Sequence, residues 1–459
     1  MVSVGRHPNI TLFTYSEVED VVGFVGNFDV RVRKKARHVI EDLCTGCGTC
    51  VEKCPFKKIP SKFDLGLGNR AAIYFQYQQA VPRVPLIDID NCAYFLRGKC
   101  RACEKFCTKD AIDFEQEDQL LNLEVGTIIL ATGFKDFDPT YSHQYGYGLV
   151  DNVLTGIEFE RLINSGGPTT GEVLLSDGKK PQKIAIIHCV GSRGDQHEYC
   201  SRICCMYSLK LAHLAREMLD AEVVEYYRDM RTFGKQYEAF YERVQRDEVR
   251  FIRFESLNGS GRPPVQVSIN GKKLKVSTID LFSGQFHEEI VDMVILSTGM
   301  EPQEDHKTVA KTFGISLSPD GFFLEKHPKL APVETATDGV FLAGACQGPK
   351  DIPDSVAQGS AAAAAALALI DAGYVTMEPF TAYIDPETCS GCHTCVNLCP
   401  YGAIRAVNLN GRSFSEVNEV LCKGCGTCVA ACPSGVAQQH GFTQEQLMAE
   451  IEGVIAYVA

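Results

Sequence analysis

The chain has 459 residues, 45% of them hydrophobic and 22% charged, and its formal net charge is −13. That length gives room for about two to four domains with their own cores, and the acidic balance argues against a nucleic-acid partner, because phosphate binding needs a basic surface. No apolar run approaches the roughly 20 residues that span a bilayer, and the start MVSVGRHPNI lacks a signal-peptide pattern, so we expect a soluble, cytoplasmic protein without a membrane span.

The first predicted elements are a β-hairpin and a cysteine-rich segment. TLFTYSEVEDVVGFVGNFDVRVRKKARHVI alternates apolar and polar residues around Gly26 and Asn27, which predicts a hairpin whose second strand is FDVRVRKKA. The cysteine-rich segment runs from Cys44 to Cys107. After it, VGTIILATG is predicted to be a buried strand that ends in a tight turn at Thr132 and Gly133.

The middle of the chain alternates predicted strands and helices. We predict strands in KIAIIHCVGS, AEVVEYYRDM, VRFIRFES and DMVILSTGM, and helices in CCMYSLKLAHLAREML and KQYEAFYERVQRD. GVFLAGACQGPKDIPDSVAQGSAAAAAALALI follows as a strand, a glycine-rich turn and a long helix, of which Ala361 to Ile370 is expected to be buried. Such alternation predicts a parallel sheet covered by helices.

Twenty of the 21 cysteines fall into five groups of four. Two groups, CTGCGTCVEKCP and CSGCHTCVNLCP, have the spacing C-x2-C-x2-C-x3-C-P, in which three thiolates wrap one corner of a [4Fe–4S] cubane and the fourth reaches a neighbouring cluster. Disulfides are disfavoured by the short spacings, and zinc ligands usually come as separated pairs. We therefore predict iron–sulfur clusters and a function in electron transfer.

The ferredoxin crossing rule, by which the fourth cysteine of each run serves the other cluster, predicts four ligand sets. The second N-terminal run departs from the pattern, because seven residues separate Cys92 from Cys100 where two are expected. A degenerate run with purely structural cysteines is the alternative there. The predicted sets are Cys44, Cys47, Cys50 and Cys107; Cys54, Cys92, Cys100 and Cys103; Cys389, Cys392, Cys395 and Cys432; and Cys399, Cys422, Cys425 and Cys428.

The fifth group consists of Cys189, Cys200, Cys204 and Cys205, and its spacing matches no common cluster motif. Two adjacent cysteines fit one cluster only at a helix start or a turn that splays their side chains. Buried or redox-active thiols are the alternative. The local sequence leaves this group undecided.

Two strand–turn patterns resemble flavoproteins with two dinucleotide-binding domains, such as the thioredoxin reductase family. The turns at Ala131–Gly133 and at Gly344 flank the α/β segment, and in such proteins they bring backbone close to the flavin. HCVGSRG, from His188 to Gly194, stands where a nicotinamide domain has G-x-G-x-x-G, so direct NAD(P)H binding is not expected. No G-x-G-x-x-G precedes Gly133, so the motif for the ADP half of FAD is missing from these residues.

The predicted flavin contacts lie in the two turns and the helix start that follows. Lys350 either tunes the flavin at its pyrimidine edge or is a solvated loop residue, and Cys346 is expected to be a small buried residue beside the cofactor. The full predicted set is Ala131, Thr132, Gly133, Gly344, Ala345, Cys346, Lys350, Asp351, Ile352, Gln358 and Gly359.

HCVGSRG…YCSRICCMY, AGACQGPKDIPDSVAQGSAAA and the paired ferredoxin runs make the chain similar to the A-type subunits of heterodisulfide reductase over essentially its whole length. The resemblance implies an FAD-containing iron–sulfur protein that bifurcates electrons between ferredoxin and the C- and B-type subunits. It also implies a non-standard [4Fe–4S] cluster at the fifth cysteine group. Expected partners are B- and C-type subunits, a hydrogenase or formate dehydrogenase input module and ferredoxin, in a dimer of a hetero-oligomer.

Family members carry a cluster domain and a glycine-rich FAD segment before the hairpin. The resemblance therefore implies the C-terminal part of a split A-type subunit, with FAD shared with a partner chain that carries the missing motif. A flavin-free electron-conducting adaptor and a scaffold whose clusters only staple domains are the alternative functions. The donor, the terminal acceptor and the occurrence of bifurcation are left open.

The expected architecture is α/β: a partial thioredoxin-reductase-like fold with two dinucleotide-binding domains, and an inserted and a C-terminal two-cluster ferredoxin domain. The expected segments are 1–43, hairpin remnant of the FAD domain; 44–120, inserted ferredoxin-like domain; 121–178, FAD-domain segment; 179–300, degenerate NAD(P)H-type domain with the non-standard cluster; 301–378, C-terminal FAD-domain segment; and 379–459, C-terminal ferredoxin domain.

Overall fold

The structure, a computed structural model, describes residues 2–194, 197–254, 264–377, 379–409 and 411–458. Its strands are β1 (Ser16–Phe24), β2 (Asn27–Lys34), β3 (Ile59–Pro60), β4 (Asn69–Arg70), β5 (Ile73–Tyr74), β6 (Leu86–Ile87), β7 (Gln119–Val125), β8 (Ile128–Leu130), β9 (Lys135–Asp136), β10 (Val153–Thr155), β11 (Lys183–Val190), β12 (Glu222–Tyr227), β13 (Arg250–Arg253), β14 (Val265–Asn270), β15 (Lys273–Ile279), β16 (Phe286–Val291), β17 (Met293–Thr298), β18 (Met300–Glu301), β19 (Val340–Leu342), β20 (Ala382–Ile384), β21 (Ile404–Leu409), β22 (Arg412–Val417) and β23 (Ala437–Gln439).

The helices range from one turn beside the cysteines to 21 residues. They are α1 (Val2–Gly5), α2 (Thr49–Lys53), α3 (Ala93–Arg97), α4 (Ala102–Lys105), α5 (Gly156–Ile163), α6 (Cys204–Leu219), α7 (Tyr237–Arg246), α8 (His306–Thr312), α9 (Ile352–Ala372), α10 (Thr394–Leu398), α11 (Thr427–Ala430) and α12 (Gln444–Val458). Short 3-10 turns lie at Pro139–Tyr141, His143–Tyr145 and Gly344–Cys346.

The chain divides into two compact units, each assembled from separated stretches. The first unit comprises Met1–Glu17, Arg33–Leu121 and Lys135–Glu301. The second unit comprises Val18–Val32, Asn122–Phe134 and Pro302–Ala459.

A five-stranded sheet in the order β10-β17-β11-β12-β13 organises the first unit, and its four pairings are all parallel. Its central strands are continuous apolar runs, as expected where both faces of a parallel sheet are covered. Ile184 and Ile186 point into one core with α5, α6 and α7, while Ala185 and Ile187 point into the other. The predicted parallel α/β sheet is confirmed.

The second face of this sheet corrects one expectation. Helices were expected to cover the sheet, but Val265, Leu274 and Val276 of an antiparallel sheet β14-β15-β16 pack on this face. These strands are short and about half of their residues are polar, as expected for a surface layer whose outer side faces solvent. They were not predicted from the sequence. The predicted strand VRFIRFES is present up to Arg253, and its last two residues lie outside the described part of the chain.

The N-terminal cysteine segment also lies in the first unit and forms its own small core. Two-stranded pairs β3-β4 and β5-β6 and helices α2, α3 and α4 surround this core. Ile73, Ile87 and Ala111 are buried there together with Cys50 and Cys54. Cysteine side chains are therefore part of the packing and not surface additions.

The second unit contains the predicted hairpin and the predicted flavin turns. β1, β2 and β7 form a three-stranded sheet, which confirms the hairpin. β8 and β19 pair in parallel, with Leu130 opposite Leu342, so the two turns that follow them emerge side by side. In the same unit, β20-β23, β21-β22, α10 and α11 form the C-terminal cysteine segment.

Helix α9 corrects a second expectation. The alanine run is helical as predicted, but of the described residues of α9 only Ala362 and Ala366 are buried. They pack on Val333, Phe341 and Ala343. Apolar composition alone cannot say how much of a helix is covered. By length and apolar composition α9 could also cross a bilayer, but core helices of soluble proteins often have the same length and composition. The described residues contain no second helix of this kind.

Candidate functional site

Two cavities in the C-terminal segment are each lined by four cysteines. Each cavity combines three cysteines of one run with the last cysteine of the other, the arrangement that the ferredoxin spacing predicts. The residue before each helix has a left-handed backbone, with φ of +55° at His393 and +74° at Gly426, which turns each cysteine run into α10 or α11. The cavities are lined by Cys389, Cys392, Cys395 and Cys432, and by Cys399, Cys422, Cys425 and Cys428.

The N-terminal segment has a third cavity of the same kind, lined by Cys44, Cys47, Cys50 and Cys107. Gly46, between the first two of these cysteines, has φ +68°. A Cβ atom there would lie 2.5 Å from the carbonyl oxygen of Arg83, so the close approach of backbone requires glycine.

The second N-terminal set is brought together around Cys103, whose thiol lies close to Cys92 and Cys54. The seven residues between Cys92 and Cys100 include α3, which is followed by its C-cap Gly98. Cys100 is exposed, but its exposure does not argue against a role as a cluster ligand, because each of the other three ligand sets also has one exposed cysteine. The exposed ones, each second in its run, are Cys47, Cys100, Cys392 and Cys425.

The buried thiols of these sets resist deprotonation on their own. Burial, and to a lesser degree neighbouring cysteines, raises the pKa of Cys50 and of Cys428 to about 11 and that of Cys103 to about 12. At Cys432 burial acts in the same direction, but hydrogen bonds from Ser434 and backbone N–H groups outweigh it and lower the pKa to about 7. Metal binding would therefore release protons from most of these sites.

The fifth cysteine group lies at the carboxyl ends of three neighbouring strands. Cys189 is the second-to-last residue of β11, with φ +60°, and Cys204 and Cys205 are the first two residues of α6. The Cys204 thiol donates to the Thr298 carbonyl of β17 at 3.5 Å, whereas the Cys205 thiol donates to the Asp229 carbonyl beyond β12, also at 3.5 Å. The helix start thus splays the adjacent side chains, which was the condition for both to serve one cluster.

The charged side chains around the fifth cysteine group were not predicted from the sequence. Burial raises the pKa of Cys189 to about 11, and neighbouring cysteine thiolates add to this, while Arg193 and Arg228 oppose it. Arg193 is held in place by Asp229 at 2.6 Å. The guanidinium groups would balance part of the negative charge of a thiolate-bound cluster.

A buried ion pair lies directly behind this group. His188 Nε2 is 2.7 Å from Glu225 Oε2, and both side chains are essentially inaccessible to solvent. Burial acts to lower the pKa of His188, but the Glu225 carboxylate outweighs it and raises the pKa. Burial would raise the pKa of Cys205, but hydrogen bonding to His188 lowers it. Polar residues in the apolar strands IIHC and EVVEYY were the signal that could have found this pair.

The donor set fits a cluster better than a single ion. Among the described residues, no three or more His, Cys, Asp or Glu side chains converge as they would around one metal ion. A [4Fe–4S] cluster is larger than one ion, so its ligands are spaced around a cavity. The cysteines that line the three cavities described above are arranged in this way.

The two predicted flavin turns are open and glycine-dependent. Gly133 has φ +74° and Gly344 has φ +78°. A Cβ atom at Gly133 would meet nothing within 4 Å, and one at Gly344 would meet only Ser355, at 3.9 Å. The Gly344 N–H donates to Gln358 Oε1 at 2.7 Å, so the turn is fixed from the following helix. The two turns lie next to each other, and the space beside them would let a ligand approach their backbone.

Several predicted flavin contacts have structural partners within the second unit. Asp351 is the N-cap of α9 and accepts from the Asp354 N–H at 2.8 Å. Cys346 is buried, and its thiol donates to the Leu130 carbonyl at 3.3 Å, consistent with the small buried residue that we expected. Burial raises the pKa of this thiol against the opposing charge of Lys350.

Ferredoxin-type cysteine sets and a further cysteine group on a parallel α/β sheet define an iron–sulfur electron-transfer protein. The chain is 53% identical over 460 residues to an A-type iron-sulfur subunit of the CoB–CoM heterodisulfide reductase of Methanopyrus kandleri, and 49% identical over 460 residues to the A-type subunit of the H2:CoB-CoM heterodisulfide,ferredoxin reductase of Methanothermobacter marburgensis. It belongs to the family of A-type heterodisulfide reductase subunits. The matches cover 99% of this chain and 68% and 67% of the two relatives.

Family models agree with the cysteine segments. A 4Fe-4S dicluster domain model matches residues 382–438, and a 4Fe-4S binding domain model matches residues 37–57. The predicted presence of ferredoxin-type 4Fe-4S domains and the role of the chain as an iron–sulfur oxidoreductase component are confirmed. Among solved structures, thioredoxin reductase of T. acidophilum matches at 15% identity over 56% of this chain and 70% of that chain, with a TM-score of 0.34, too low to argue from.

Proposed function

We propose that this chain relays electrons through five [4Fe–4S] clusters within a heterodisulfide reductase-type complex. The observation that supports this most directly is the crossed arrangement of cysteines around three separate cavities. The second N-terminal set and the fifth group would hold the other two clusters. The predicted segment boundaries, from the hairpin to the C-terminal ferredoxin domain, are part of this proposal.

The splayed cysteines at the start of α6 support the fifth cluster. Cys204 and Cys205 face the ends of different strands, and Cys189 and Cys200 lie close to them. This position, at the carboxyl ends of parallel strands, is where α/β domains commonly bind a nucleotide. In the proposed function a cluster takes the place of a nicotinamide cofactor, which agrees with the missing G-x-G-x-x-G after β11.

We propose that the chain contributes one part of an FAD site through Ala131–Gly133 and Gly344–Gly359. A second polypeptide would supply the pyrophosphate-binding glycine motif, which these 459 residues lack. A flavin held there would supply both two-electron and one-electron redox chemistry, which bifurcation needs in order to send the two electrons of one pair to two different acceptors. The open space at Gly133 and at Gly344 supports the approach of a cofactor to the backbone.

The names of the two relatives suggest which partners this chain has. One is a reductase of the CoB-CoM heterodisulfide and the other couples hydrogen to that heterodisulfide and ferredoxin. We propose that this chain connects a hydrogenase or formate dehydrogenase input module, ferredoxin and heterodisulfide-reducing B- and C-type subunits, in a dimer of the hetero-oligomer.

Anaerobic purification of the chain alone and within its native complex tests these proposals. Five clusters correspond to about 20 iron atoms per chain, and we expect FAD in acid extracts of the complex but not of the isolated chain. About 16 iron atoms would remove one cluster from the proposal. Stoichiometric FAD on the isolated chain would contradict the shared site, and a flavin-free complex would favour an electron-conducting adaptor.

A further inference from the structure

His188 and Glu225 form a buried polar pair in the middle of an apolar sheet. His188 follows the four buried residues Ile184–Ile187 of β11, and Glu225 lies on the neighbouring strand β12 between Val224 and Tyr226. Their side chains are 1% and 0% exposed, and the two bonded atoms are 2.7 Å apart. Burying such a pair is costly compared with apolar residues of similar size, so its position calls for a role other than packing.

The pair is incompletely hydrogen-bonded. His188 Nδ1 and Glu225 Oε1 are buried, and neither has a hydrogen-bond partner of normal geometry in the structure. The Cys205 side chain lies within bonding range of the imidazole, and Cys189 is the next residue along the chain. Because buried polar atoms are nearly always hydrogen-bonded, an imidazole nitrogen without a partner of normal geometry beside Cys205 points to the sulfur of that residue as its acceptor when the thiolate holds a cluster.

We propose that His188 is a positioning residue for the fifth cluster, with Nδ1–H donating a hydrogen bond to a cluster sulfur at Cys205 and Glu225 fixing the imidazole from behind. The inference rests on the proposed function, because it requires a cluster at this cysteine group. The donor requires a proton on Nδ1, and it is then present whether the proton between Nε2 and Glu225 lies on the imidazole or on the carboxyl. Hydrogen bonds to cluster sulfurs favour the reduced, more negative state and so raise the reduction potential.

Other charges near the group cannot replace this contact. Arg193 and Arg228 contribute charge at Cys189, and Arg193 is already paired with Asp229. These guanidinium groups are partly exposed, so solvent screens them more than it screens the enclosed imidazole. The buried His188 therefore gives the only fully enclosed imidazole contact to this group among the described residues.

Two substitutions separate the two faces of the imidazole. In His188→Gln the side-chain amide takes the place of Nε2, which keeps the contact to Glu225 and removes the donor toward Cys205. In His188→Asn the amide takes the place of Nδ1, which keeps that donor and gives up Glu225. His213→Gln is the matched control, because His213 lies on the same helix as Cys205 but bonds Asp247 at 2.9 Å.

The measurement is an EPR-monitored redox titration of the intact complex, with iron content determined on the same samples. We expect His188→Gln to lower the ratio of reduced to oxidised fifth cluster about tenfold at a fixed potential, equivalent to about 59 mV for one electron. His188→Asn should keep at least half of the wild-type ratio, and His213→Gln should match wild type.

Several outcomes overturn the inference. An unchanged midpoint potential in His188→Gln with full iron content would do so, as would equal shifts in both His188 variants. Loss of the fifth cluster from both variants, or from His188→Asn alone, would assign His188 to packing, whereas its loss from His188→Gln alone supports the proposed contact. If the wild-type complex lacks a signal that disappears in Cys189→Ser, the proposed fifth cluster itself is wrong, which is a separate result.

Discussion

Arg161 holds Asp64 through two nitrogen atoms, with Nη2 at 2.8 Å and Nε at 3.1 Å from the same carboxylate oxygen. Asp64 belongs to the N-terminal cysteine segment and Arg161 to α5, on the face of the parallel sheet that carries α6. Both side chains are less than one-fifth exposed, and the guanidinium also lies over the Phe63 ring at 4.8 Å. This contact fixes the cysteine segment against the α/β part of the first unit.

Arg161→Met is therefore expected to reduce the free energy of unfolding by about 1–3 kcal/mol, because it leaves a partly buried carboxylate without its charged partner. Lys210→Met is the matched control: the Lys210–Glu160 pair, 3.3 Å apart, is about half exposed on both sides, so its loss should cost at most about 1 kcal/mol. Anaerobic chemical denaturation compares the two. Equal effects would show that the Asp64 contact contributes no more than a surface ion pair.

Gly46→Ala is expected to disrupt the first cysteine cavity. The substitution strains a backbone with φ +68° and also brings a Cβ atom to 2.5 Å from the Arg83 carbonyl oxygen. Gly98→Ala has similar strain, at φ +64°, but meets nothing within 4 Å, so it should cost only about 1 kcal/mol. We expect Gly46→Ala to lose about four iron atoms per chain, and Gly98→Ala to retain them. Full iron content in Gly46→Ala would contradict this.

The sequence allowed prediction of what is set by local chemistry. The helix CCMYSLKLAHLAREML is α6, from Cys204 to Leu219, because its apolar residues follow the helical period. The cysteine spacings likewise anticipated which side chains line three cavities, because short loops leave their thiols few alternatives.

Features that depend on contacts between residues distant in sequence could not be predicted from the sequence. The antiparallel sheet β14-β15-β16 covers a sheet face that the alternation of strands and helices assigned to helices. The pairing of His188 with Glu225 depends on the register of two parallel strands, which neither strand encodes alone. Helix α9 was expected to be buried, yet apolar composition did not determine how much of it is covered.

Cys428→Ser and Cys346→Ser should separate ligands from the cysteine outside the five groups. Cys428 lines a four-cysteine cavity, so its replacement should remove about four iron atoms and one cluster signal. Cys346 lies beside a strand end and its thiol donates to the Leu130 carbonyl, a bond that a serine hydroxyl can also make. We expect Cys346→Ser to keep all its iron. Loss of iron from Cys346→Ser would require a new assignment of the ligand sets.

Removal of iron should unfold the C-terminal cysteine segment while leaving the parallel sheet of the first unit intact. The small core of that segment consists of Ala382, Cys395, Ile404 and Cys428, so two of its four most buried members are cysteines. In contrast, the two cores that flank the parallel sheet contain no cysteine among their described members. Without the cluster, the segment loses the bonds that hold its thiols together and has too little apolar area to compensate.

Hydrogen exchange read by mass spectrometry, before and after anaerobic chelation and oxidation of the iron, measures the difference. Peptides from 382–438 should lose most of their protection. Peptides covering Ile184–Ile187 and Met293–Leu296, which lie in the buried centre of the sheet, should keep theirs within about threefold. Equal loss in both regions would show that the clusters stabilise the α/β sheet as well, and unchanged protection in 382–438 would show that this segment folds without metal.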